Sequence, residues 1–199
     1  MKDLIATIRP AAVSLLVFTL LLGLVYPAAI GGIAAVAFPD QATGSLIRDP
    51  SGRVVGSELV GQPFDHPAYF WSRPTAVAAY QAMTSSGTNQ GPLHPELAKA
   101  VAARALALRA ADPGATGPVP VDLVTASSSG LDPHITPAAA YYQVGRVARG
   151  RGVPEAQVRE LVDRATSERT LGVLGERRVH VLRLNVALDA QLGAPRPRP

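Results

Sequence analysis

No charged residue occurs between Arg9 and Asp40, and Ala, Val, Leu, Ile, Phe and Gly fill most of that stretch. A helix of about 20 apolar residues crosses the roughly 30 Å hydrocarbon core of a bilayer. Residues 10–36 therefore predict a single transmembrane helix, preceded by a short tail at residues 1–9. Pro10 fits the first turn of that helix, whereas Pro27 predicts a kink or an end within it.

A cleaved secretory signal is the alternative for this segment, since Lys2 and Arg9 are basic and residues 35–37 (AVA) resemble a cleavage site. The apolar run is longer than the about 7–15 residues of a signal sequence, which favours a retained anchor. The positive flank then predicts a cytoplasmic N-terminus in the cell (inner or plasma) membrane and an extracytoplasmic C-terminal domain. Both interpretations place residues 37–192 outside the cytoplasm.

Cysteine is absent, which excludes disulfides and cysteine-ligated metal sites without deciding the compartment. Removing Lys2, Arg9 and Asp3 from totals of 19 basic and 15 acidic residues leaves 17 and 14, a net charge of +3. That charge is too small to indicate nucleic-acid binding, and no matching motif is present. The remaining length suffices for one domain with a hydrophobic core, and the Arg-Pro tail at residues 193–199 is expected to be disordered.

The soluble part predicts an α+β fold, namely one mixed α/β domain with a small sheet. The turn at residues 49–52 (DPSG) predicts a β-hairpin, and residues 119–125 alternate as a strand does. Helices are predicted at residues 95–111, from Thr136 to about Arg149 and from Pro154 onward; for residues 179–192, where helix and strand patterns overlap, we favour a helix capped near His180. Residues 62–94 lack periodicity, but their aromatic side chains indicate an ordered loop.

The polar run at residues 127–137 is where catalysis would be sought. Ser128 or Ser129 with His134 and Asp132 could form the triad of a membrane-tethered extracytoplasmic hydrolase, although no G-x-S-x-G elbow is present. The simpler interpretation is a loop whose Ser and Asp side chains accept hydrogen bonds from backbone amides. A free-standing periplasmic binding or adaptor domain is a further alternative.

Metal and phosphate sites are weakly indicated. Asp132 and His134, with His66 and His94, could ligate a metal, but H-E-x-x-H and EF-hand spacings are absent. Residues 87–92 (GTNQGP) lack the lysine of a phosphate-binding loop, which favours a surface turn. Gln143 and Arg146 lie three residues apart on one predicted helix face, a spacing typical of a polar edge exposed to solvent or to a partner.

Taken together, the chain resembles the C subunit of the Kdp-type potassium-transporting P-type ATPase (the KdpC family). The runs that carry the resemblance follow the family order over nearly the whole chain: RP at 9–10, GLVYP at 23–27, FPDQATGSL at 38–46, VGSELVGQ at 55–62, YFWSRP at 69–74, SGTNQGP at 86–92, PVDLVTAS at 120–127, GLDPHITP at 130–137, YQVGRVAR at 142–149 and LD at 188–189. His94 and the Arg-Pro tail depart from the family pattern.

The resemblance implies an accessory subunit rather than an enzyme, in a high-affinity ATP-driven potassium uptake complex. Its implied partners are the P-type ATPase subunit, a channel-like potassium-binding subunit, a small membrane subunit and the lipid bilayer. It also implies a catalytic-chaperone role that raises the ATP affinity of the pump subunit, with nucleotide contact through Gln143 and Arg146. The predicted topology disfavours that contact, because cytoplasmic ATP does not reach an extracytoplasmic domain. No metal or firmly bound cofactor is expected, and ATP acts through the complex.

Overall fold

The computed structural model describes residues 2–76 and 80–195. The chain divides into two compact units, Met1–Leu46 and Ile47–Pro199. The first unit is helical: α1 (Lys2–Leu20) passes through a π-helical turn (Leu21–Val25) into α2 (Tyr26–Ala37), and α3 (Pro39–Ala42) adds one further turn. The helix thus begins at Lys2, so Pro10 lies inside it and not in its first turn.

Pro27 neither ends nor interrupts this helix. The π-helical turn lies immediately before it, and Tyr26 N–H donates to the carbonyl of Leu21, one residue further back than in an α-helix. A proline removes one helical hydrogen bond and crowds the preceding turn, and a π-bulge is a common way to accommodate such a disturbance. The stretch Ala6–Ala37 is 32 residues long and is apolar enough to cross a membrane.

The second unit is a mixed α/β domain, as the sequence predicts, and it has two small sheets where the sequence analysis expects one. The predicted hairpin is confirmed as β1 (Leu46–Arg48) paired with β2 (Val54–Ser57). The other sheet is antiparallel in the order β3-β5-β4, from strands His134–Ile135, Arg178–His180 and Thr166–Ser167 respectively. Its register pairs Ile135 and Thr166 with Val179 on either side.

The domain has four α-helices at the predicted positions, and the last three of them contact β5: α4 (Pro95–Ala111), α5 (Pro137–Arg151), α6 (Glu155–Ala165) and α7 (Val181–Leu192). The Thr136 hydroxyl accepts a hydrogen bond from Ala139 N–H at 3.1 Å and begins α5. Gly152, with φ of +68°, ends α5 in the left-handed conformation that glycine adopts readily. Residues 179–192 combine both predicted patterns, because β5 runs directly into α7 at His180.

The predicted strand at residues 119–125 is wrong. The chain forms a single 3-10 turn at Val121–Leu123, in which Leu123 N–H donates to Pro120 O at 3.1 Å. Val121 is 68% exposed, whereas Asp122 and Leu123 are buried, so the apolar alternation does not correspond to a buried face. Prolines at positions 118 and 120 cannot donate to a sheet, which favours the turn.

One hydrophobic core holds the domain together. It joins α5, α6 and α7 to β5 and to Phe70 of the irregular stretch, and its largest fully buried apolar side chains are Phe70, Leu184, Leu188, Val144, Val147, Val158, Val162, Val179 and Val181. Between β2 and α4, the described residues contain no long helix or strand. Phe70 is completely buried there, so the prediction of an ordered aromatic loop is confirmed around that residue. Residues 77–79 of the predicted loop lie outside the described residues.

Candidate functional site

An irregular segment at residues 66–73 lies against helices α5 and α7. It contains a turn in which Tyr69 N–H donates to His66 O at 3.1 Å, and side chains rather than a neighbouring strand pair with the backbone of Phe70 and Trp71. Asn185 of α7 accepts from Phe70 N–H at 2.9 Å and donates to Phe70 O at 3.0 Å. Gln143 of α5 does the same for Trp71, at 2.8 Å and 3.2 Å. Each side-chain amide therefore makes the two hydrogen bonds that one residue of an adjacent strand would make. We call residues 66–73 and the helix side chains that hold them the aromatic clamp.

Arg146 is the centre of this clamp. Its Nη1 donates to Pro67 O at 2.6 Å and to Tyr69 O at 3.0 Å, and its Nη2 donates to Gln143 Oε1 at 2.5 Å. The guanidinium carbon lies 3.9 Å from the ring centroid of Trp71, within the range of a cation–π contact. Burial lowers the pKa of Arg146 to about 10, so the side chain remains charged at neutral pH.

The expectation that Gln143 and Arg146 form an exposed polar edge is wrong. The two residues are only 1% and 4% exposed. Their spacing does put them on one face, but Ala139, Val144 and Val147 on α5 are buried as well. Those apolar neighbours were the available signal that this face points inward.

A second layer of polar contacts closes the clamp at its edge. The Tyr69 hydroxyl donates to Asp189 Oδ2 at 2.7 Å, and Arg151 Nη2 donates to Asp189 Oδ1 at 2.8 Å. Arg151 also donates to Ala68 O at 2.8 Å. Burial and the neighbouring Asp189 carboxylate raise the pKa of Tyr69 to about 12, so its hydroxyl keeps its proton. Sequence reasoning assigned no role to Arg151, Asn185 or Asp189, because only the tertiary fold brings them to this segment.

Gly150 allows the segment to approach α5 closely. A Cβ at this position would lie 2.9 Å from Ala68 N and 3.1 Å from Pro67 C, closer than real Cβ atoms tolerate without a shift. The atoms it would meet are backbone, which cannot turn aside as a side chain can. The sequence predicts that this helix ends at about Arg149, and α5 continues through Gly150 to Arg151.

The second candidate region, around Asp132 and His134, is organised by hydrogen bonds to the backbone. Asp132 Oδ1 accepts from His134 N–H at 2.9 Å, and Asp132 Oδ2 forms an ion pair with Arg73 at 3.1 Å. Burial alone would raise the pKa of Asp132, but the hydrogen bonds from His134 and the charge of Arg73 hold it below its ordinary value. Ser129 Oγ accepts from Leu131 N–H at 3.1 Å, as the loop interpretation predicts.

This arrangement does not assemble a nucleophilic triad. His134 Nδ1 lies 3.5 Å from Asp132 Oδ1, and its ring packs against His180 with centroids 5.1 Å apart. Within residues 2–76 and 80–195, no hydrogen bond joins His134 to Ser128 or Ser129. A base that does not contact its nucleophile cannot activate it in this conformation.

The remaining histidines serve local structure. His94 Nδ1 accepts from Glu96 N–H at 3.2 Å and caps α4, and His66 Nδ1 accepts from Ala68 N–H at 3.2 Å. No three His, Cys, Asp or Glu side chains of the described chain are grouped as metal ligands. In the loop at residues 87–92, Gly87 lies against Ser128 O rather than beginning a helix, since α4 begins only at Pro95.

A protein family and several relatives match most of this chain, including the residues of the clamp. The family described as "K+-transporting ATPase, c chain" (KdpC) matches residues 8–190. The chain belongs to the KdpC family. Relatives named "Potassium-transporting ATPase KdpC subunit" include proteins of Sorangium cellulosum, 60% identical over 94% of this chain and 98% of the relative, and of Herpetosiphon aurantiacus, 58% identical over 91% and 94%. A third, from Methylococcus capsulatus, is 58% identical over 92% of this chain and 96% of its own length.

Several runs that carry the family resemblance meet in the structure of this KdpC family member. YFWSRP at 69–74 supplies the segment, YQVGRVAR at 142–149 supplies Gln143 and Arg146, and GLDPHITP at 130–137 leads into α5. Residues distant in sequence are thus joined through the clamp.

Proposed function

We propose that this chain is a non-catalytic accessory subunit of a high-affinity, ATP-driven potassium uptake complex, needed for the assembly and stability of that complex. The match to the KdpC family over residues 8–190 carries this proposal. Relatives whose full length the chain nearly covers are named as a subunit of a potassium-transporting ATPase. Its partners would be the P-type ATPase subunit, a channel-like potassium-binding subunit and a small membrane subunit.

The geometry of the polar groups supports a scaffold rather than a catalyst. Gln143, Arg146 and Asn185 are each committed to hydrogen bonds with backbone atoms of the clamped segment. Groups used in this way fix the shape of an irregular chain segment, since leaving buried polar atoms unpaired is costly. A rigid domain surface suits a subunit that positions its partners.

The apolar helix is proposed to anchor the chain, with residues 10–36 in the bilayer and residues 1–9 in the cytoplasm. Residues 37–192 would then form the extracytoplasmic domain, followed by a disordered tail at 193–199, of which residues 196–199 lie outside the described part of the chain. Gly23, Gly31 and Gly32 support helix packing in the complex, because a Cβ placed there would meet no described atom within 4 Å apart from its own helix backbone and chain neighbours. Another subunit's helix could approach this face closely.

A catalytic-chaperone role, in which the subunit raises the ATP affinity of the pump subunit, belongs to the same proposal. In the proposed topology that influence reaches the ATP site through the other subunits. Direct nucleotide contact by Gln143 and Arg146 stays a prediction. It would require both side chains to leave the clamp and expose the carbonyls of Pro67 and Tyr69.

Purification from native membranes tests the function. The tagged chain, extracted in mild detergent from potassium-starved cells, is expected to retain a P-type ATPase and a channel-like membrane protein. Mass spectrometry identifies them. Recovery of the chain alone under conditions that preserve other membrane complexes would contradict the proposal, and ester or peptide hydrolysis that His134→Ala abolishes would favour the hydrolase alternative.

Cysteine labelling tests the topology, because the chain has no native cysteine. Ser128 is exposed and its neighbour Ser127 is 7% exposed. In intact cells with a permeable outer barrier, a membrane-impermeant thiol reagent is expected to label Ser128→Cys and to spare the buried control Ser127→Cys. Labelling of Ser128→Cys only after lysis would reverse the proposed topology and make direct nucleotide contact possible.

A further inference from the structure

An apolar tip projects from the soluble domain between β4 and β5. Residues 168–177 leave the sheet as a hairpin-like excursion, which we call the finger. At its tip, Leu171, Val173 and Leu174 are 87%, 73% and 60% exposed. Three large apolar side chains within four residues form a concentrated patch, unlike the scattered exposed apolar residues that are normal on protein surfaces.

The backbone of the finger is held in one conformation despite its exposure. Thr170 and Leu174 exchange two hydrogen bonds of 2.9 Å across it, and Gly172 N–H donates to Arg169 O at 3.1 Å. Leu171 itself has φ of +54°, a left-handed conformation that is unfavourable for a branched side chain. Such strain is typical of sites where the position of a side chain matters.

The charged residues at the base of the finger, which we call its stalk, form ion pairs with one another. Arg169 pairs with Glu176 at 2.6 Å, and Arg177 pairs with Glu168 at 2.7 Å. These four residues leave the stalk with no net charge. The finger is therefore an apolar tip on a neutral, internally bridged support.

From these features we infer that the finger inserts its tip into an apolar groove on another protein subunit of the pump complex. The inference rests on the proposed accessory-subunit function and names the surface that would carry it. Docking on lipid is disfavoured because elements that bind anionic membrane surfaces carry uncompensated basic residues beside their apolar residues. The tip supplies three residues, whereas a standard interface takes about 20–30 on each side, so the finger would be one anchor within a larger contact with that subunit.

Three rings of the aromatic loop are already occupied by contacts within their own domain. Phe70 is completely buried, Trp71 packs under Arg146, and Tyr69 is hydrogen-bonded to Asp189. In contrast, the three side chains at the tip of the finger point away from the core of their own domain. An anchor of this kind fits a pocket within a larger interface, where a few residues dominate the binding energy.

Substitution at the tip tests the inference in the assembled complex. Val173→Ser and Leu174→Ser, singly and together, are expected to leave the chain folded, as judged by unchanged Trp71 fluorescence. The double variant should lose the other pump subunits about tenfold faster during detergent washing, in the range of an interface hot spot. Leu93→Ser is the matched control, because Leu93 is 98% exposed but lies outside the finger. Equal retention of partners by the double variant and the control would overturn the inference.

Photocrosslinking identifies what the tip touches. Val173→p-benzoylphenylalanine in the native complex is expected to crosslink to one of the other pump subunits, and Leu93→p-benzoylphenylalanine is not. Crosslinks from position 173 to lipid, to a second copy of the chain or to nothing would each refute a protein groove. The wild-type chain distinguishes failure of the proposed function from failure of the inference about the finger. If the wild-type chain retains no pump subunits, the proposed function fails. If it retains them normally and the finger variants do so too, only the docking role of the finger is rejected.

Discussion

Replacing Arg146 by methionine tests whether this residue is structural or binds nucleotide. Methionine has a similar length and can occupy much of the same space, but it has no N–H groups. The change removes the hydrogen bonds to Pro67 O and Tyr69 O, the bond to Gln143 Oε1 and the cation–π contact with Trp71. Gln143 Oε1 would still accept from Trp71 N–H.

The expected loss of stability follows from these contacts. Each partly buried carbonyl that loses its donor costs up to about 1–3 kcal/mol, and a desolvated cation–π contact contributes about 2 kcal/mol. Removing a buried guanidinium offsets part of this, since burial is the main cause of the lowered pKa of Arg146. We expect Arg146→Met to lower the free energy of unfolding by about 3 kcal/mol, within the tolerance of a domain that is stable by about 5–15 kcal/mol.

The chain provides its own reporter for this measurement. Trp71 is the single tryptophan of the sequence, and Arg146 lies directly over its ring. Urea unfolding of the full chain in detergent, followed by Trp71 fluorescence, measures the stability of the clamp. Arg146→Lys is the matched control: it keeps the charge but lacks the planar fork that reaches two carbonyls, so it should fall between the wild type and Arg146→Met.

Two results would refute this reasoning. A stability of Arg146→Met within about 0.5 kcal/mol of the wild type, the range of ordinary surface substitutions, would show that the clamp does not depend on the guanidinium. An assembled complex of normal stability whose ATP requirement rises in Arg146→Met would instead support the family-implied nucleotide contact. If the clamp accounts for the residue, any change in ATP affinity should accompany loss of stability or of partner retention.

Three further changes test other parts of the structure. Burial lowers the pKa of His180 to about 4, whereas a histidine in the unfolded chain takes up its proton near pH 6.5. The free energy of unfolding, measured with urea, should therefore be constant above pH 6.5 and fall by about 2 kcal/mol toward pH 4. The variant His180→Asn, which can still cap α7, should reduce this pH dependence. Gly150→Ala should destabilise the domain by about 1–3 kcal/mol, because the added methyl group overpacks the contact with Ala68. The control Gly117→Ala should not, since the space around Gly117 is open. The same urea titration measures both variants, and equal effects would contradict the close approach of Ala68. Gly31→Leu should weaken co-purification of the pump subunits, and undisturbed retention would count against a packed helix face.

The helices of the second unit were predictable because their ends are encoded locally. Thr136 with Pro137 begins α5, and the side chain of His180 accepts from Arg183 N–H to begin α7. The Asp49 turn likewise fixes the first hairpin, with Oδ1 accepting from Ser51 N–H and Arg53 N–H. Signals of this kind involve residues at most four positions apart, so the sequence alone displays them.

The clamp could not be predicted in the same way. Asn185 and Phe70 are 115 positions apart, and Gln143 and Trp71 are 72 apart. Their pairing depends on how α5 and α7 pack, which no local pattern specifies. The strand expected at residues 119–125 failed for a related reason, since apolar alternation indicates a strand only where one face is buried, and Val121 is exposed.

In this domain, the notable polar side chains are buried and the notable apolar side chains are exposed. Polar groups that would suggest a catalytic or binding site in sequence, Gln143 and Arg146 above all, lie inside and hold an irregular segment in a fixed shape. Apolar groups that would normally be buried, Leu171 and Val173, lie outside on a rigid support. If the proposed accessory role is right, loss of the clamp and loss of the finger should affect the assembly of the complex by different routes. The first should act through unfolding, and the second through dissociation of a folded subunit.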